Sequence, residues 1–110
     1  MTYKIRLTRD AQEDLRELFD FLLHRELTRP GGGDLRVADK AIAALENGFA
    51  TLQSSPFTCR KASNNPLLRE LIVPFGATGY VALFEITDSQ TVTIAAVRHQ
   101  RESDLSLIHI

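Results

Sequence analysis

Residues 69–99 read RELIVPFGATGYVALFEITDSQTVTIAAVRH, and this stretch decides the fold. It holds three apolar runs, Arg69 to Phe75, Tyr80 to Ile86 and Val92 to His99. Gly76-Ala77-Thr78-Gly79 and Asp88-Ser89-Gln90 separate them, with the lengths and residue types of hairpin turns. Runs rich in Val, Ile, Phe and Thr between such turns predict consecutive antiparallel strands. The middle run, YVALFEI, is apolar at both alternating sets of positions. A central place in the sheet accounts for one face, and the other calls for cover by a partner chain.

Working outward toward the N-terminus, Tyr3-Lys4-Ile5-Arg6-Leu7 alternates apolar and basic residues, the pattern of a short strand with one buried face. The period then changes. Ala11, Leu15, Leu18, Phe19 and Leu22 fall at helical spacing, and Asp10 with Glu13 has the form of a capping box. This helix is expected to run to about Leu27, where Arg29-Pro30-Gly31-Gly32-Gly33 breaks it. A second helix is expected from Asp34, with the stripe Leu35, Ala38, Ile42, Leu45, Phe49 and Leu52, closed by Ser54-Ser55-Pro56. Residues 57–68 are polar and read as irregular. The order is β-α-α-β-β-β, an α+β fold with a helical hairpin on one face of an antiparallel sheet.

The chain has 110 residues, 44% hydrophobic and 25% charged, which suits one domain with one core. Lys and Arg number 13 against 14 Asp and Glu, so the basic excess usual for a protein that grips nucleic acid through phosphates is missing. Cys59 is the only cysteine, which rules out an internal disulfide. The opening MTYKIRLTRD lacks a signal-peptide core and no run reaches membrane-spanning length, so a cytoplasmic location without membrane association is expected. The last six residues, LSLIHI (105–110), read as a frame translation of a transposase adapter from sequencing libraries. The expected domain is therefore 1–104, with 105–110 a non-native tail.

The chain lacks CxxC, HExxH, P-loop and Gly-x-Ser-x-Gly signatures. His24 beside Arg25 and His99 at a strand end do not form a ligand set, so neither metal nor cofactor is expected. Cys59 reads as an incidental thiol, and Gly31-Gly32-Gly33 as a helix breaker. The informative segment is Ala95-Ala96-Val97-Arg98-His99-Gln100-Arg101-Glu102, in which an apolar strand delivers Arg, His and Arg at its end.

Taken together, the opening YKIRLTRDAQEDLREL, the helix closing in LQSSP, and RELIVPF, GYVALFEI and VTIAAVRHQRE in that order resemble the RelE/ParE superfamily of type II toxins, also described as plasmid stabilisation proteins. The resemblance covers almost the whole chain. It implies a toxin held inactive by a cognate antitoxin, here expected on Tyr80, Ala82 and Phe84. RelE-like members cut messenger RNA on the ribosome, and ParE-like members poison DNA gyrase. The RNA-cutting branch uses basic groups around the sheet to activate the ribose hydroxyl and stabilise charge on the phosphate. One of these is an Arg on the strand leading into the Gly-Tyr turn. Here that strand ends in Val73-Pro74-Phe75, without the Arg. The ParE-like branch is therefore favoured, with DNA gyrase as target, no catalysis, and Arg98, His99, Arg101 and Arg69 as target-binding residues. The alternative is a ribosome-dependent endoribonuclease acting on mRNA with Arg98, His99 and Arg101 as catalytic residues.

Overall fold

The computed structural model describes residues 2–100; Arg101 and the 105–110 segment lie outside them. Strand β1 (Lys4–Leu7) sends Ile5 and Leu7 to the core and leaves Lys4 and Arg6 exposed, as the pleat requires. Thr8 ends it. Its Oγ1 accepts the Ala11 N–H at 3.0 Å, which makes it the N-cap of helix α1 (Arg9–Leu27). The cap expected at Asp10 thus falls to Thr8, and Glu13 pairs forward with Arg16 at 2.7 Å.

Beyond α1 the chain reverses through Gly31 and Gly32, whose φ values of +81° and +86° suit glycine. Helix α2 spans Arg36–Thr51. Asp34 lies before it, its Oδ1 accepting the Arg36 N–H at 2.9 Å. Because the helix starts after Asp34, Leu35 is exposed, and the buried stripe is Ala38, Ala41, Leu45, Phe49 and Leu52.

A 3₁₀ turn (Pro56–Thr58) leads to β2 (Arg60–Lys61), a two-residue strand in a segment expected to be irregular. Then come β3 (Leu68–Phe75), β4 (Thr78–Asp88) and β5 (Thr91–His99). The five strands lie in the order β1-β5-β4-β3-β2. All pairs are antiparallel except β1 with β5, which is parallel. A parallel neighbour needs a long crossover, and the helices and hairpins between β1 and β5 supply it. The α+β expectation stands: two helices pack on one face of a mostly antiparallel sheet.

The core joins that face to the helices. Leu45 and Leu52 from α2 and its end meet Phe84 of β4 and Ile94 of β5 in one cluster of buried side chains. Each such burial contributes about 1.5–3 kcal/mol. β5 carries a bulge: Leu83 pairs with Ala96 and Phe84 with Ile94, so Ala95 has no partner on β4. The bulge re-aims the side chains of the strand beyond it.

Candidate functional site

β1 stops at Leu7 because α1 begins, so the outer edge of β5 loses its strand neighbour after Ile94. Side chains and the start of α1 cap that edge instead. The Thr8 N–H bonds Ile94 O at 3.0 Å and Thr8 Oγ1 bonds Ala95 O at 3.0 Å. Asp14 Oδ2, on α1, accepts the Val97 N–H at 2.9 Å and an Arg98 guanidinium N–H at 2.6 Å. The same Arg98 nitrogen also donates to Val97 O at 3.1 Å. An edge closed in this way is a poor template for another strand.

Arg98 and His99 are neighbours in sequence and fall on opposite faces. Arg98 pairs across from Val81, on the face without helices. His99 pairs across from Tyr80, on the helix side. Its Nε2 lies 2.9 Å from Thr78 Oγ1, and its ring meets the Tyr80 ring at 5.6 Å in an edge-on contact. Burial pushes the Tyr80 phenol above its ordinary range, against the pull of the Arg25 charge.

Arg69 sits at the far end of β3, opposite Phe84, and does not join this corner. Its Nε donates to Pro66 O at 2.7 Å, and one amino group donates to Phe57 O at 3.2 Å and Cys59 O at 2.9 Å. The guanidinium also lies 5.3 Å over the Phe57 ring. It clasps the loop around β2. Of the expected target-binding residues, Arg98 and His99 leave β5 from opposite faces and Arg69 holds the loop around β2, while Arg101 lies outside the described residues.

The expected antitoxin contacts Tyr80, Ala82 and Phe84 are 3%, 0% and 0% exposed, all within the helix-side core. The reason is parity. A strand turns alternate residues to opposite faces, so the apolar residues of β4 on the helix-free face are Val81 and Leu83. Neither belongs to the helix-side cluster, nor does Ile72 of β3, which pairs with Val81; Val81 is nonetheless buried, 5% exposed, and Ile72 and Leu83 are half-buried. Around them lie Glu85, the Arg60–Glu70 pair at 3.1 Å, and the exposed cations Lys4 and Arg6.

Two further groups were not legible as partners. Asp14 and Thr78 carry no motif, and only the meeting of α1 with β5, and of the two strand ends, gives them roles. At the other end of α1, Glu26 is 1% exposed. It accepts the Asp34 N–H at 3.0 Å and pairs with Arg25 and Arg29, each at 3.1 Å. The Asp34 N–H holds its carboxyl below the usual carboxylate range, with help from the two arginines and against burial. Burial pushes the Cys59 thiol up, which makes it a weaker nucleophile. Among the described residues no helix is long and apolar enough to cross a membrane.

No curated protein sequence matches the chain. Among solved structures it is similar to a chain from the chromosomal ParDE TA system of P. aeruginosa, at 19% identity and a TM-score of 0.67. That similarity covers 89% of this chain and 96% of the other, and it extends to the fold. The sequence profile described as "ParE toxin of type II toxin-antitoxin system, parDE" matches residues 5–104. By that match, which spans both helices and the whole sheet beyond Lys4, the chain belongs to the ParE toxin family of type II toxin–antitoxin systems.

Proposed function

We propose that this ParE-family toxin inhibits DNA gyrase by binding it, without catalysis, and is neutralised by a cognate antitoxin. The observation that carries the reading is where the polar groups of the β5 corner are directed. His99 sits against Thr78 and Tyr80 on the helix side, while Arg98 leaves β5 from the other face and its guanidinium is tied at the strand's open edge to Asp14 of α1. An RNA-cleaving site needs its proton-transfer group and its cations converging on one scissile phosphate. A binding surface needs shape and fixed donors, which this corner offers.

The antitoxin is proposed to cover the half-buried Ile72 and Leu83 on the helix-free face, over the buried Val81. Exposed Glu85 beside Leu83 and exposed Lys4 and Arg6 on β1 give that face both signs of charge, so the covering segment is proposed to be apolar with flanking charges of both signs. The cytoplasm is the compartment in which such a toxin would meet both partners.

The test is induction in cells with DNA damage, replication, translation and transcript ends followed together. His99→Gln is expected to keep most of the killing, with replication stopping first. Ribosome-dependent transcript cuts that vanish in His99→Gln would overturn the proposal in favour of the endoribonuclease reading. Co-expression of the adjacent gene should restore growth, and Leu83→Asp should weaken that rescue while leaving the fold intact.

A further inference from the structure

The donors of Arg98 are divided between the protein and its surroundings. One amino group is committed inward, to Asp14 Oδ2 at 2.6 Å and Val97 O at 3.1 Å. The same Asp14 oxygen holds the Val97 N–H at 2.9 Å, so the guanidinium is tied to helix and strand together. Yet the Arg98 side chain is 54% exposed, and its Nε and second amino group have no partner among the described residues.

A guanidinium held in this way differs from one on a free side chain in two respects. Its planar fork is oriented before any partner arrives, so less side-chain entropy is lost on binding. A carboxylate in contact also offsets much of its charge. That penalises recognition of a polyanion, where attraction scales with net positive charge. It penalises directional hydrogen bonds to single acceptors far less.

We infer that Asp14 is a positioning residue that makes Arg98 a fixed donor fork for carbonyl or carboxylate groups of a protein target, and not for the phosphates of a nucleic acid. This rests on the proposed function, and the experiment separates the two. Purified parent chain, Asp14→Asn, Arg98→Ala and the double variant are compared for inhibition of gyrase supercoiling, binding to a single-stranded RNA oligonucleotide, and thermal melting. Asparagine keeps a side-chain oxygen for the Val97 N–H and loses the charge that orients Arg98.

The expected result is that Asp14→Asn melts close to the parent but inhibits about tenfold less well, the scale of a lost oriented contact. Arg98→Ala should lose at least as much. The double variant should be no weaker than Arg98→Ala alone, because Asp14 acts through Arg98. If Asp14→Asn inhibits like the parent while Arg98→Ala fails, the inference is overturned and the proposed function stands. Parent-like inhibition by Arg98→Ala overturns it equally, since Arg98 is then no target contact. Tighter RNA binding and transcript cleavage by Asp14→Asn would overturn the inference in favour of a nucleic-acid partner. A parent chain that leaves gyrase untouched overturns the proposed function first and the inference with it.

Discussion

Helix α1 carries two carboxylates that use the same device in different surroundings. Glu26 and Asp14 each accept a backbone N–H from another segment and each pair with arginine. Glu26 is almost wholly enclosed; of its arginines, Arg25 comes from its own helix and Arg29 from the turn just beyond. It closes the turn into α2 by holding the Asp34 N–H. Asp14 is part-buried, and its arginine belongs to the sheet and reaches solvent. The difference teaches that burial decides what such a group is for. An enclosed carboxylate with its partners around it is committed to the fold, because removing one partner strands a charge away from water. A carboxylate at the rim can orient a neighbour at modest cost to stability.

The apolar cluster is the main support of the helical hairpin, and Glu26 fixes only its turn. Leu45→Ala should therefore give the largest loss, about 2–5 kcal/mol from transfer energy plus a cavity. Urea unfolding measures it, and a parent-like midpoint would mean that polar contacts carry the hairpin instead. Next should come Glu26→Gln, which keeps an oxygen for the Asp34 N–H but gives up both ion pairs. Its melting temperature should fall further than that of Asp14→Asn, and the reverse order would mean that the rim carboxylate, not the enclosed one, is committed to the fold.

The smallest expected effect is one of pH. The Glu26 carboxyl lies below its ordinary value of 4.5 in the folded chain, and the Asp34 carboxyl, held by hydrogen bonds from Arg36, lies below its own ordinary value of 3.8. Lowered carboxyls stabilise the fold above their unfolded values, and that contribution fades as pH falls through the folded ones. Parent stability should then decline on acidification below pH 4.5, and Glu26→Gln should lose the Glu26 share of that slope. Identical acid profiles for the two chains would mean that the turn does not depend on the charge of Glu26.

Much of the architecture is legible because it obeys local rules. The hairpin turns at Gly76–Gly79 and Asp88–Gln90 mark the β3–β4 and β4–β5 pairs, and the helical periods from Ala11 and to Leu52 mark α1 and α2. Helix caps are less legible. The structure uses Thr8 where the spacing of Asp10 and Glu13 points later, because Thr8 can cap the helix and bond Ala95 of β5 with one hydroxyl. β2 leaves no trace in the pattern, since two residues carry no period and their pairing with Arg69 and Glu70 exists only in the folded sheet.

The candidate site is less legible than the fold. Composition and turn chemistry in the sequence alone determined the α+β class, the order of the longer elements and the two-sided apolar character of residues 80–86. Only the tertiary structure decided which side of β4 the helices take. That choice places Tyr80, Ala82 and Phe84 in the cluster beneath the helices and turns Val81 and Leu83 to the other face, where Val81 is buried as well. It also separates Arg98 from His99 and brings Asp14 to a residue 84 positions away in sequence. The physical reason is that alternation along a strand specifies two faces without labelling them. The label comes from the helices, and from the crossover that sets β1 beside β5.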